Sequence, residues 1–493
     1  MTISMKYRQY LRQRYRIILG FVGLISAIVG VTILTTLLAL IAYPEELGFA
    51  WAFLLPGVVL LGLGLGMWRQ CSLEKASSLT LPEGAIIVVV SWLLAIGFST
   101  IPLMAIDGLN FTQAVFEATS GWTTTGLSVV DVTTASKLIL LFRSIMELAG
   151  GAGLAIITLS AIASSASAGF SAAEGRTEQL APNVRRSAKL VMGIYSGYAA
   201  VGTVALRLAG MGWFDAVNHS FAALSTGGFS TRTDSIGFWD SPAVEAVTIV
   251  LMILGTLNFV TSYFLLKGKF KAVLRNGEVR LQAVVIPLCV LALMFGVVPQ
   301  LYPNFGKAVR VSIFETITAL STTGFSTVGY SDWNGLGWVV LIILMLIGGG
   351  TGATAGGIKQ FRVYYLYRAL LWDVKRMFLP KSAVTEPEVW QGERRVFLTD
   401  SQIRQVSSFV FLYLVVYAIG CSITAAYGYS LQDSLFEYAS TLGTVGLSVG
   451  VTAADAPVGL LWTQIVGMFL GRLEFFTVVV GLVRLVKDVP AWI

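Results

Sequence analysis

The sequence predicts an all-α polytopic membrane protein with ten transmembrane spans. Four pseudo-repeated span–pore helix–filter–span units surround one pore, and two extra spans precede them. Three observations carry this expectation. Of 493 residues, 55% are hydrophobic and only 12% charged, against about 25% charged in a typical soluble domain, so lipid must be the solvent for much of the surface. Ten apolar runs are long enough to approach or exceed the ~20 residues a helix needs to cross a bilayer. One six-residue pattern also recurs four times, each copy between two of those runs.

In chain order the runs are 17–42, 49–68, 84–105, 138–164, 190–208, 243–266, 281–301, 338–370, 406–427 and 458–486. The first, Ile17 to Ala42, exceeds the ~7–15 residues of a signal-peptide core and is a retained span. Lys6, Arg8, Arg12, Arg14 and Arg16 precede it and hold the N-terminus in the cytoplasm. Alternating the spans from there puts most of the 34 Lys and Arg into cytoplasmic segments, the C-terminus included. Only Lys137, Arg232, Lys307 and Arg310 fall into outer segments. That asymmetry supports both span count and orientation. The resulting division is a two-span extension over 1–70 and pore repeats over 71–170, 171–275, 276–385 and 386–493.

Several function classes are excluded. The net charge of +7 would suit nucleic acid on a soluble domain with a basic patch, but here basic residues punctuate apolar runs. Cys71, Cys289 and Cys421 lie far apart, without metal-ligand spacing, and His219 is the one histidine. No nucleophile–base pair stands out either, so no enzyme is expected. A cation-coupled secondary transporter of a small solute is the alternative. It requires broken helices in inverted repeats at the membrane midplane, whereas these repeats all run the same way.

The four outer connections hold the decisive pattern. They read Thr-Thr-Thr-Gly-Leu-Ser at 123–128, Ser-Thr-Gly-Gly-Phe-Ser at 225–230, Ser-Thr-Thr-Gly-Phe-Ser at 321–326 and Gly-Thr-Val-Gly-Leu-Ser at 443–448. Nine residues before each shared glycine stands Glu117, His219, Glu315 or Glu437, which locks the register. The candidate ion-binding residues are therefore Thr124, Thr125 and Gly126; Thr226, Gly227 and Gly228; Thr322, Thr323 and Gly324; and Thr444, Val445 and Gly446. A dehydrating cation such as K⁺ needs rings of carbonyl oxygens in place of its water shell. Glycine permits the dihedrals that aim them at one axis, and a threonine can add a hydroxyl. Where Val445 stands, the hydroxyl is lost but the carbonyl survives. Pore helices whose C-termini face the axis, each with about half a negative charge, favour a cation there. The acidic residues nine positions earlier are read as anchors of the pore helices, and His219 as their structural equivalent or a pH-sensing group.

Four such motifs in register, each between two spans, resemble the Trk/Ktr/HKT superfamily of potassium transporters over essentially the whole chain. The two extra spans (17–68) make the chain most similar to the TrkH-type subunit. The resemblance implies potassium as the transported ion with no covalently bound cofactor. It also implies a single-file filter within one chain, a homodimer of such chains, and a cytosolic nucleotide-binding regulatory subunit of TrkA type. The basic residues Lys267, Lys269, Lys271, Arg394 and Arg395 suit an acidic partner or simply the positive-inside rule.

Two further features match the family. The stretch Gly348-Gly349-Gly350-Thr351-Gly352-Ala353-Thr354-Ala355-Gly356-Gly357-Ile358-Lys359 is too glycine-rich for a stable helix, at about 1 kcal/mol per glycine against alanine. In TrkH-type proteins the matching stretch is an intramembrane loop beneath the filter. A phosphate-binding loop fails on spacing, because Lys359 does not follow a glycine as such a motif requires. The resemblance makes Gly348, Gly349, Gly350, Gly352, Gly356, Gly357 and Lys359 a gate, joined by Arg472, a pore-facing arginine in the last span. An arginine at that depth is costly unless it has a role; a structural pair with Glu474 is the competing reading. Glu147, in the second span of the first repeat, has no assigned partner or role.

Overall fold

Long apolar stretches without water must satisfy their backbone internally, and the chain does so almost entirely as helices. The structure, a computed structural model, describes residues 3–70, 79–153, 184–380, 386–391 and 394–488. The first helix, Ile3–Thr35, continues into a 3-10 turn at Thr36–Ile41. It packs on Ala50–Gln70 through facing glycines. A methyl group on Gly64 would lie 2.4 Å from the Gly23 carbonyl oxygen, and one on Gly30 2.7 Å from that of Gly57. Such close backbone approach is how helices associate where lipid removes the hydrophobic drive. The pair is tied to the remainder by the Arg14–Glu83 ion pair and by Tyr15, which donates to Asp488 at 3.0 Å.

Each repeat then contributes an entering helix and a short pore helix: Leu81–Ile106 with Phe111–Trp122, Val184–Leu208 with Trp213–Ser225, Gly277–Gly296 with Phe305–Ser321, and Asp400–Ala426 with Leu431–Gly443. Three pore helices start at capping side chains. Asn110 accepts from Gln113 N, Asn304 from Gly306 N, and Ser430 from Asp433 N. Large apolar side chains on the outer helices, such as Leu288, Phe295 and Phe411, are exposed, as lipid contact requires.

Among the described residues six helices are long and apolar enough to cross a membrane, or eight if two bent pairs are each taken as one span. The expected span 243–266 is not continuous. Pro242–Thr256 and Phe259–Leu266 meet at 118°, because Leu257 turns extended and Asn258 caps a new helix by accepting from Val260 N at 2.8 Å. The expected span 458–486 is likewise Val458–Leu473 and Phe475–Asp488 at 103°, broken at Glu474 with φ +61°. Averaged hydropathy stays high across both joints, so it merged them. The run at 338–370 divides, as its glycines predict, into Gly335–Ile347 and Gln360–Met377 with a loop between. The run at 138–164 forms Lys137–Ala152; its positions 154–164 lie outside the described residues, as does Cys71. Among the described residues a small antiparallel hairpin, Glu388–Gln391 with Arg394–Phe397, departs from the all-helical expectation.

Candidate functional site

All four pore helices end the same way, and those endings build the filter. Thr124, Thr226, Thr322 and Thr444 adopt the left-handed region with φ between +50° and +57°. The next residue folds back with a long backbone bond: Thr125 N to Ser120 O at 2.9 Å, Gly227 N to Ala222 O at 2.9 Å, Thr323 N to Thr318 O at 3.0 Å, and Val445 N to Ser440 O at 2.8 Å. Each is a Schellman ending with threonine where glycine is usual. A β-branched residue there is strained, and it persists because the surrounding packing dictates it. Two residues on, Gly126, Gly228, Gly324 and Gly446 take φ between +81° and +98°. Left-handed residues on either side of an ordinary one turn successive peptide planes in a way that only glycine accepts at the second position.

The four strands close into a ring. A methyl group on Gly126 would lie 2.1 Å from the Gly227 carbonyl oxygen, one on Gly228 2.1 Å from that of Thr323, one on Gly324 1.9 Å from that of Val445, and one on Gly446 2.2 Å from that of Thr125. Repeat 1 thus abuts repeat 2, 2 abuts 3, 3 abuts 4, and 4 returns to 1. All four glycines border one open cavity of about 640 Å³, together with Ser128, Ser230, Ser326 and Ser448. Of the expected set, the four glycines and the residues before them, Thr125, Gly227, Thr323 and Val445, are therefore brought together. The Thr125 and Thr323 hydroxyls, however, are engaged behind the strand, 2.7 Å from the hydroxyls of Thr123 and Ser321.

The residues nine positions before the glycines hold the strands from behind. Glu117 accepts from Val129 N at 3.0 Å and Ser128 Oγ at 2.9 Å. Glu315 accepts from Thr327 N at 2.9 Å and Tyr330 OH at 2.5 Å, and Glu437 from Val449 N at 3.0 Å and Ser448 Oγ at 2.8 Å. Repeat 2 reaches the same end differently. His219 Nε2 lies 2.9 Å from Ser230 Oγ, while Asp215, one turn earlier, accepts from Thr231 at 2.6 Å and Arg232 at 2.9 Å. Glu117, His219, Glu315 and Glu437 are fully buried, and through these bonds each ties its pore helix to its strand. Sequence reasoning missed Arg143. Buried at 2% exposure, it donates to Glu117 at 2.7 Å and to Ser128 at 2.9 Å, and lies 3.9 Å over the Phe229 ring, so it joins the strands of repeats 1 and 2. Its only signal was a charge inside an apolar run.

The glycine-rich loop lies against the opposite end of the ring. Gly356 N donates to Thr322 Oγ1 at 3.0 Å, Thr354 Oγ1 lies 3.1 Å from Thr226 Oγ1, and a methyl group on Gly356 would lie 2.1 Å from Thr444 Oγ1. Three of the four left-handed threonines thus touch it. Its backbone is well satisfied: Ile358 N bonds Leu346 O, Gln360 N bonds Gly349 O, and Gly350 N bonds Thr256 O. Gly348, Gly352, Gly357 and Lys359 all have positive φ. Arg472 donates to the Thr354 carbonyl at 2.7 Å and to that of Gly150 at 2.6 Å. Glu474 is held instead by Arg362 at 2.9 Å and by Lys359 at 3.6 Å.

With this geometry established, comparison with known proteins is informative. The family model described as TrkH, cation transport protein, matches residues 52–488. The chain belongs to the TrkH family. It is similar to an uncharacterized cation transporter of Methanocaldococcus jannaschii, 29% identical over 94% of each chain. It is likewise similar to the Trk system potassium uptake protein TrkH of Escherichia coli K12, 28% identical over 94% of this chain and 98% of that one. The crystal structure of the potassium transporter TrkH from Vibrio parahaemolyticus superposes with a TM-score of 0.80 at 28% identity, covering 94% of this chain and 98% of that one.

Proposed function

We propose that this chain takes up potassium across the cytoplasmic membrane as the ion-translocating subunit of a Trk-type system. The ion passes through the ring formed by Gly126, Gly228, Gly324 and Gly446 with the residues before them. The single observation that supports the reading best is the closed ring of carbonyls, each strand's glycine against the next strand's carbonyl oxygen. Neutral carbonyls dehydrate a monovalent cation without trapping it. The C-termini of four pore helices reach the same place and add to the favourable potential. The relatives' potassium uptake and potassium transporter names support K⁺ as the cargo.

In this reading residues 71–170, 171–275, 276–385 and 386–493 are the functional repeats and 1–70 an added pair of spans. The 348–359 loop is the gate, because it occupies the mouth opposite the cavity and touches three strands. Arg472 holds it shut. The termini face the cytoplasm, as the distribution of Lys and Arg favours. A homodimer and a cytosolic nucleotide-binding partner complete the assembly, both inferred from the family. A transporter of this family carries its cargo unchanged, so no catalytic step is assigned. The test is ion flux from the purified protein in liposomes, comparing K⁺, Rb⁺ and Na⁺. The expected result is K⁺ and Rb⁺ passing in preference to Na⁺; equal flux of all three ends the reading.

A further inference from the structure

The four repeats are equivalent in pattern but not in chemistry, and their two departures meet in space. The residue before the filter glycine carries a side chain in three repeats (Thr125, Thr323, Val445) and none in the second, where it is Gly227. In the spans that follow the filters, Met252 stands three residues ahead of Gly255 and Met468 three ahead of Gly471; in repeat 3 Met345 stands three ahead of Gly348, which packs against the Gly356 carbonyl of the loop. Three ahead of Gly150 stands Glu147. Gly150, Gly255 and Gly471 occupy matching places, since a methyl group on each would strike the carbonyl of Trp122, Leu224 or Leu442, each four residues before a filter glycine. Met252, Met345 and Met468 are all fully buried, and so is Glu147.

Glu147 is therefore an acid in a methionine slot, and it lies directly behind the strand that lacks a side chain. A methyl group on Gly227 would lie 2.4 Å from the Glu147 carboxyl carbon. Its Oε1 accepts the N–H of Phe229, the residue after filter Gly228, at 2.9 Å. Its Oε2 is buried without a hydrogen-bond partner among the described residues. A buried carboxyl group with one unmet oxygen is costly. Packing alone would be served as well by methionine, as the other repeats demonstrate. An acid there is explained by what methionine lacks, a strong acceptor aimed at the strand.

We propose that Glu147 is a specificity-determining positioning residue. It fills the space left by Gly227 and, by accepting from Phe229 N–H, fixes the spacing of the second strand's carbonyls, so that this strand takes its geometry from a side chain of repeat 1. The proposal rests on the ring being the potassium filter. K⁺ and Na⁺ differ by a few tenths of an ångström in radius, so a strand free to relax inwards loses discrimination before it loses conduction.

The experiment uses the full chain in liposomes and reads the K⁺/Na⁺ uptake ratio for wild type, Glu147→Gln, Glu147→Met and Glu147→Met with Gly227→Thr. Glutamine keeps an acceptor oxygen and should retain the wild-type ratio. Methionine removes it and should lower the ratio about ten-fold, the effect of losing one buried hydrogen bond. The double variant rebuilds the pattern of the other repeats and should recover discrimination. A purely structural role would reduce flux of both ions together and leave the ratio unmoved. Folded Glu147→Met with an unchanged ratio overturns the proposal, as does Glu147→Gln losing as much as Glu147→Met. Should Glu147→Met not fold, Glu147→Asp, which withdraws the acceptor by one methylene, carries the same prediction and the same overturning result. A wild-type protein without K⁺ preference fails the filter reading itself, and the Glu147 proposal with it.

Discussion

Arg472 donates from Nη1 to the carbonyl oxygen of Thr354 at 2.7 Å, and so pins the glycine-rich loop to the last repeat. Its Nη2 reaches Gly150 O at 2.6 Å, near the end of Lys137–Ala152 in repeat 1. One guanidinium thus holds the loop, repeat 4 and repeat 1 together. The sequence left open a pore-facing Arg472, acting as a charge barrier or holding the glycine loop through its carbonyls, and a structural pair with Glu474. Glu474 is occupied by Arg362 and Lys359, and the geometry favours a latch on the loop.

Arg472→Ala should therefore raise rubidium uptake severalfold without preventing folding. A charged donor contributes about 1.5–3 kcal/mol per hydrogen bond, and here the loss falls on the closed loop. Arg472→Lys should give an intermediate value. Unchanged uptake in correctly inserted Arg472→Ala would remove the latch.

Gly356→Ala tests the loop itself. Its new methyl group would meet Thr444 Oγ1 at 2.1 Å and Gly443 O at 2.5 Å, both parts of a rigid turn. The loop, not the filter, must yield. Basal uptake should rise, and any dependence on a cytosolic regulator should weaken. Closed behaviour identical to wild type would make the loop a packing element only.

Gly126→Ser should lower K⁺/Na⁺ discrimination. At φ +89° any side chain is strained, and its Cβ would lie 2.1 Å from the Gly227 carbonyl oxygen. The serine must push a filter carbonyl off the axis. Paired K⁺ and Na⁺ uptake in liposomes reads this directly, and an undisturbed ratio would disprove it.

Glu117→Ala should be strongly destabilising, by about 3–5 kcal/mol, because it leaves Arg143 buried and unpaired. Thermal unfolding in detergent measures it. Glu117→Ala with Arg143→Met should recover much of the loss in Tm, whereas a double variant no better than the single would show that Glu117 acts mainly through Val129 N–H.

The register of the four motifs was legible in the sequence because each filter repeats the same short string at a fixed distance from a polar residue. Hydropathy likewise revealed the interrupted run at 348–359. What could not be read was tertiary. Thr124 and its three counterparts are poor candidates for a left-handed turn on local preference, and only the packing around the pore helix imposes it. Arg143 and Glu117 lie 26 residues apart, and nothing local announces their pairing. In repeat 2 the carboxylate moves one turn back to Asp215, which a fixed-offset search cannot see. The joints at Asn258 and Glu474 fall at isolated polar or charged residues inside runs that are apolar enough overall to pass as single spans.

The order of contact around the ring, ending with Gly446 against Thr125, bears on biosynthesis. The first and last strands to be made are neighbours, so no enclosed path through the ring exists until the chain has been synthesised past residue 446. A nascent protein stalled after three repeats has an open cleft in place of a conduit.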